Sequence, residues 1–599
     1  MAGTLPRVAL VATVLVAGGA NAAAQAPVIV RGTEVRVSLP LPLRDFAEVT
    51  ACADPVNARR LVVAAMYDTV SERMQRDQGI AAFTSMDAGA TWRVTLDTHR
   101  PGESAFDPAC AFGPDGLAYL TTMVVTPQRG PIALYSSRDA GFTWSAPMLL
   151  GLSGFDRPWV AVDNTASSFR GRVYVSAFVE ARSPFTRALA LFTKTDTNVA
   201  PMVEQQSHYL HNGPIATLSD GTMLALMAHP TTRAQEPPSL AEPAGGWPSS
   251  PVISVVRSID GGATMTNPVV VSPLTSQAPN KRFLLTDFIP SLAVDGGSAL
   301  FRDRAYAVWI DAASGGTRVM LSFSSDSGRT WSPARVVSDD GAMQAAAGPL
   351  DSVNPSVAVN RHGVVCVLWY DRRDNPDFGY WPRIAASLDG GETWTQSQRV
   401  SQRPMVAQLD GLFGYASTRQ VDGQPNHELV VSVHNGWNFK SGDTSGLVAD
   451  ATGVFHPVWI DNRTGTTQIW TVPVRVNGPV HRLRDVTGST TVRLTNVHFN
   501  SATRTVSVDA TVEASAPLHG PISLQVTTMS SGISDDIAVV APTNGIAGPG
   551  AVWLIADSGQ SLKPGDGITR TLRFTMSTWT RAAINPLAVT MRVLAADTK

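Results

Sequence analysis

The stretch SSDSGRTWS, Ser324 to Ser332, decides the fold. It is nearly repeated as SMDAGATWR (Ser85 to Arg93), SRDAGFTWS (Ser137 to Ser145), SIDGGATMT (Ser258 to Thr266) and SLDGGETWT (Ser387 to Thr395). An enzyme needs one catalytic site, whereas a phrase spelled five times marks the turn of a repeated structural unit. The repeated aspartates are Asp87, Asp139, Asp260, Asp326 and Asp389, with gaps of 52, 121, 66 and 63 residues. The long gap holds two units, and LFTKTDTN (Leu191 to Asn198) stands where a worn copy belongs. The resulting period, about 50 to 65 residues, is the size of one propeller blade.

Each unit has the same inner order. A short apolar run comes first, as in PWVAVD (Pro158 to Asp163), PSLAVD (Pro290 to Asp295) and PSVAVN (Pro355 to Asn360). A turn leads to a second run such as AYAVWID or VVCVLWYD, a loop to a third, and the Asp phrase to a fourth. Four runs rich in Val, Ile, Trp and Ala between turn residues predict a four-stranded antiparallel meander. The phrase suits its turn: Asp accepts backbone N–H groups, Gly adopts angles other residues resist, and Trp packs between blades.

First-strand starts fall near Ala51, Asp107, Asp156, Asn212, Asp287, Asn354 and Asp443. They favour seven blades, with six as the alternative. The last unit has three runs and no Asp phrase, so EVRVSL (Glu34 to Leu39) is expected to supply its fourth strand and close the ring. After Pro479 the pattern changes to alternating apolar and polar residues, as in TTVRLTNVHFNSATRTVSVDATVEASA. The expected organisation is a signal peptide over 1–24, an all-β propeller over 25–480, and a C-terminal immunoglobulin- or fibronectin-like β-sandwich over 481–599.

Composition bounds the function. Hydrophobic residues make up 44% and charged ones 16% of 599 residues, as in a folded β-rich chain rather than a disordered one. A formal net charge of −2 gives no electrostatic case for nucleic acid. Arg7, the apolar run VALVATVLVA and the small residues at Ala20 to Ala24 read as a secretory signal. The expected location is therefore secreted or periplasmic. No later run is long and apolar enough for a transmembrane segment. Of three cysteines, Cys52 and Cys110 hold similar places in successive repeats and are able to face each other, while Cys366 lies in an apolar run as a buried free thiol. No cofactor motif is present. The many loop carboxylates leave a structural calcium ion open, though no EF-hand spacing occurs.

The five Asp phrases resemble the Asp-box, or BNR, repeat of the sialidase superfamily, over roughly Pro27 to Pro479. Segments such as DRPWVAVD, WYDRRDNP and FHPVWIDNRTG resemble exported bacterial sialidase-like proteins. This resemblance implies an exo-glycosidase that releases a terminal acidic, sialic-acid-like sugar from a glycan or glycoconjugate. The family grips the sugar carboxylate with three arginines and uses a Tyr nucleophile assisted by Glu, with Asp as acid/base. A guanidinium matches a carboxylate with two parallel hydrogen bonds.

Strand order puts the first-strand starts and the loops between second and third strands on one face, opposite the Asp phrases. On that face Arg157, Arg372 and Arg463 are the candidate carboxylate triad, with Arg373 beside them. Asp156 or Asp371 is the candidate acid, and Tyr415 with Glu428 the candidate nucleophile pair. Two departures weigh against hydrolysis. The family's Phe/Tyr-Arg-Ile-Pro string is missing, and a position that commonly reads Gly-Asp-Tyr is here Gly442-Asp443-Thr444. A non-catalytic propeller that binds glycan or protein on the same face is the alternative.

Overall fold

A computed structural model describes residues 28–70, 76–100, 103–126, 130–151, 155–180, 186–195, 203–208, 211–229, 252–275, 289–311, 317–339, 352–371, 373–374, 379–406, 414–421, 424–433, 442–531, 537–576 and 587–597. The expected signal peptide lies outside them. The protein is all-β, built from antiparallel four-stranded sheets as the repeat predicts.

Among the described residues seven sheets share the blade pattern, and each begins with a strand laid beside the first strand of the next. These first strands are Asp45–Ala53, Ser104–Phe112, Phe155–Val162, His211–Thr217, Ser291–Val294, Ser352–Val359 and Gly446–Ala449, and the last adjoins the first. We number the sheets blades 1 to 7 in that order. Blade 7 is completed as expected: Val35–Arg36 pairs with Gln468–Thr471 as its outer strand. Val28–Arg31 adds a further pairing to Val474–Asn477, so the two ends of the propeller are laced together. Arg463 reinforces the closure by binding Glu34 at 2.6 Å.

The repeated phrase forms the same turn five times. In every copy the Ser hydroxyl donates to the Asp at 2.7–2.8 Å and accepts the Gly N–H at 2.7–2.9 Å. The Thr backbone N–H donates to the same carboxylate at 2.8–3.0 Å, and the Thr hydroxyl adds a second bond to it. Two successive residues turn left-handed, for example Ser327 (φ 62°) and Gly328 (φ 77°). That explains why the second is always glycine. The turn also joins blades. Thr84 of blade 1 donates to the Gly141 carbonyl at 2.7 Å, and Arg304 of blade 5 to the Gly390 carbonyl at 2.9 Å. Trp144 of blade 2 reaches Thr95 of blade 1 at 3.3 Å, between blades as expected.

Fully buried Trp309, Trp369 and Trp459 sit at the same place in the second strands of blades 5, 6 and 7. Cys52 and Cys110 form a disulfide between the first strands of blades 1 and 2, and Cys366 is a buried free thiol. The C-terminal residues form two packed sheets, in the strand orders Leu483–Asp485, Ala588–Ala596, Leu518–Ser530, Val552–Ala556 and Thr490–Asn500, Thr505–Ala514, Gly567–Thr575, Ala538–Val539. Trp553 and Phe574 stack edge to face in their core at 5.6 Å. No described helix is long and apolar enough to cross a membrane.

Candidate functional site

The first strands carry a second repeat, less visible than the Asp turn. Their pairing with the second strand slips after Ala47, Phe106, Asp156, Asn212 and Val353. Such a bulge re-aims the side chains beside it. The bulged pairs are Glu48-Val49, Asp107-Pro108, Arg157-Pro158, Gly213-Pro214 and Asn354-Pro355. Glu48, Asp107, Arg157 and Asn354 all hold φ between 50° and 54°, a conformation that costs a non-glycine residue of order 1–3 kcal/mol. Prolines at four of the five second positions suit the break, because a bulge leaves a ladder donor unused.

The bulges converge on the axis. Arg157 N–H donates to Asp156 at 2.9 Å and to Asp107 at 3.2 Å, and Asn212 donates to the Arg157 carbonyl at 2.8 Å. On the far side Asn354 donates to the Gly442 carbonyl at 2.7 Å. The Arg157 guanidinium pairs with the Asp443 carboxylate. These residues belong to blades 3 and 7, which are not neighbours, so the pair crosses the central opening. Glu48 is hydrogen-bonded to Asp107, and Asp107 to Asp156. A cavity of about 20 Å3 lies here, lined by Glu48, Asp107, Pro108, Arg157, Trp159 and Asp443 among others. That is room for a single water.

The carboxyl groups are unequal. Burial pushes Glu48 well above the usual carboxyl range, and the charges of Asp107 and Asp443 push the same way. Its Oε1 is buried without a hydrogen-bond partner. Burial also works against the Asp107 charge. The Glu48 hydrogen bond, the Arg157 charge and the Asp156 bond outweigh it and hold Asp107 below the usual range. Burial disfavours the Arg157 charge too, yet Asp443 and then Asp107 and Glu48 keep it protonated. Two hydrogen-bonded carboxyl groups of this kind titrate as one coupled pair, with the Arg157 charge beside it. Among the described residues no group of three or more His, Cys, Asp or Glu side chains is set to hold a metal ion.

The expected site residues separate into three groups. Arg157 and Asp156 belong to the axial cluster. Asp371, Arg373 and Arg463 belong to a different device. Trp369 and Arg373 both donate to Asp371, at 3.0 and 2.6–2.9 Å, and Trp459 and Arg463 bind Asp461 in the same way. Arg373 also pairs with Asp339 at 2.6 Å. The spelling Trp-x-Asp-x-Arg therefore makes a blade-internal ion pair. Asp371 is occupied as an acceptor, and neither arginine lines the axial cavity. Arg372 lies outside the described residues. The hairpin Gly414–Val421 and Gln424–Val433 places Tyr415 opposite Ser432 and Glu428 opposite Arg419, and the side chains there lie outside the description.

Glu48 had escaped the sequence reading, because blade 1 has valine where other bulges have proline. Asp107 and Asp443 were visible as first-strand starts, and the Asp-Pro, Arg-Pro and Asn-Pro spellings were the signal that could have ranked them.

Neither a protein-family model nor a curated relative matches the chain. Solved structures similar to it include an α-L-arabinofuranosidase from Fusarium graminearum in complex with an iminosugar inhibitor, at 13% identity and TM-score 0.36, over 57% of this chain and 92% of that one. NanB sialidase from Streptococcus pneumoniae is similar at 11% identity and TM-score 0.33, over 75% and 70%. A polysaccharide lyase acting on ulvan is similar at 10% identity and TM-score 0.34, over 79% and 93%. The site is therefore read from its own residues.

Proposed function

We propose that this chain is a carbohydrate-active propeller that hydrolyses a glycosidic bond at the axial carboxyl cluster. The observation that carries the reading is the convergence of Glu48, Asp107 and Arg157 from three blades on one axial cavity, with Asp443 paired to the arginine across the opening. Glu48 is the general acid toward the leaving oxygen. Asp107 holds the Glu48 proton by a hydrogen bond and the two act as one acid, since carboxyls this close leave no room for water and an anomeric carbon between them; Asp156 shares their network. Arg157, fixed by Asp443, positions Asp107 and keeps it ionised. The Asp-box resemblance supports a sugar as the substrate.

The substrate class follows from charge. Among the described residues Arg157 is the guanidinium that lines the cavity, and it stands among four carboxyl groups, those of Glu48, Asp107, Asp156 and Asp443. Arg373 and Arg463 are matched by carboxylates of their own blades. This balance favours a neutral sugar over the acidic one that the sialidase resemblance implies. A second reading, a non-catalytic propeller that binds glycan or protein on the same face, is favoured by the size of the cavity, about 20 Å3, which admits a water and no sugar ring.

The test is release of fluorophore from a panel of aryl glycosides, neutral ones and a sialoside, by the exported form lacking residues 1–24. Turnover of a neutral glycoside, abolished by both Glu48→Gln and Asp107→Asn, is the expected result. Turnover of the sialoside alone would restore the acidic-sugar form. Binding of glycans without any release would leave the second reading.

A further inference from the structure

A second cavity lies away from the axis, on the Asp-turn side, where blade 6 meets the C-terminal sandwich. Its volume is about 500 Å3, within the ordinary range for small-ligand sites, which favour such domain junctions. The junction is fixed. Glu392 of the blade 6 turn pairs with Arg592 of the sandwich at 3.0 Å and with Arg335 of blade 5 at 2.6 Å. Asn544 donates to the Trp394 carbonyl at 3.0 Å, and His481 N–H to the Leu388 carbonyl at 3.0 Å. The cleft is thus preformed between anchored walls.

We propose that this cleft binds a neutral saccharide chain. Its walls are the ring and branched carbons of Pro479, Pro521, Pro542, Val552 and Leu554, flat enough to take the C–H face of a pyranose or furanose. Its polar groups are the amides of Gln396 and Gln398, the Asp557 carboxylate and the His481 imidazole. The side chains of Gln396, Gln398 and Asp557 make no hydrogen bond within the described fold. His481 Nδ1 is held by the Pro479 carbonyl at 3.2 Å, which leaves Nε2 as an acceptor. Amides, a carboxylate and an acceptor nitrogen together bond hydroxyls in both directions. Among the described residues no Lys or Arg lines the cleft, so none of them there compensates an anionic ligand. Gly545 keeps the Gln396 amide uncovered, because a Cβ at that position would stand 2.8 Å from its Oε1. The choice of a sugar rests on the glycan-active reading above; the cleft itself does not.

Calorimetric titration with cellohexaose, xylohexaose, maltohexaose, arabinohexaose and the anionic hexagalacturonate tests this. One neutral hexaose is expected to bind, and Gln398→Ala with Asp557→Ala to weaken it by about tenfold or more. Glu48→Gln should leave that affinity unchanged while ending aryl glycoside turnover, so the two proposals fail separately. Thermal melting checks that each variant is folded. The proposal is overturned if no neutral hexaose binds at millimolar concentration. It is also overturned if binding ignores the cleft pair or disappears with Glu48→Gln, or if hexagalacturonate is preferred.

Discussion

Glu48 and Asp107 share a hydrogen bond and are pushed in opposite directions: burial raises Glu48 more than the Arg157 charge lowers it, while the Glu48 hydrogen bond and then the Arg157 charge outweigh burial at Asp107. The active form needs Glu48 protonated and Asp107 ionised. The acid limb of a rate profile should therefore fall below about pH 4, and the alkaline limb well above it. The limbs belong to the coupled pair, so Glu48→Gln should remove the alkaline limb together with most of kcat. Arg157 and Asp443 make a different prediction. Both are buried, so Asp443→Asn should lower stability in urea unfolding, and Arg157→Met should cost more, roughly 3–5 kcal/mol, because it strips Asp107 of its counter-charge as well. Gly442 adds a third. It holds φ 76°, and a Cβ would stand 2.4 Å from the Glu48 side chain, so Gly442→Ala should lower Tm and disturb the axial cluster at once. Arg157 and Asp156 were legible in the sequence because FDRPW interrupts an apolar run with charge. Glu48 was not legible, since its partners are 59 and 395 residues away and only closure of the ring brings them near.

At the scale of elements, the Asp turn was the most legible part of the chain, because its hydrogen bonds run between residues at most four apart. The turn carboxylates Asp87, Asp139, Asp260 and Asp326 lie below their ordinary range. Burial opposes this, and bonds from the neighbouring Thr and Ser outweigh it. A depressed native value means that the unfolded chain takes up protons first. The stabilisation is thus complete above about pH 4 and is lost as pH falls through the native values. Thermal melting between pH 5 and 2.5 should show a falling Tm, and Asp326→Asn should flatten the fall. What the sequence could not show was the second use of arginine. Trp-x-Asp-x-Arg reads as a site when its residues are taken singly, and as a blade-internal clamp once Trp369 and Trp459 are seen donating to the same aspartates. The Cys52–Cys110 bridge spans 58 residues, so its removal by Cys→Ser substitution should cost about 4 kcal/mol by the loop-closure account.

For the molecule as a whole, repeat counting led to the ring and to the sandwich after it. It did not lead to their union, because nothing marks the blade 6 turn as different except Glu392. That residue turns a solvent-facing loop into a buried anchor for Arg592. Glu392→Gln should leave both cores folded while raising hydrogen exchange at Trp394 and at Gln525, whose side chain donates to the Glu392 carbonyl at 3.2 Å. The closure of blade 7 has a further consequence for biogenesis. Its outer strand is Val35–Arg36, and the edge that receives it ends at Thr471. A chain synthesised amino end first therefore presents its opening strand long before the mating edge emerges, and the circle stays incomplete until some 435 residues have followed. Ring closure in this protein is late by topology. A covalent cut in the Asn462–Thr466 turn would sever the chain path from the inner strands of the last blade to the strand that mates with Val35–Arg36, whereas a cut at any Asp turn leaves that path whole.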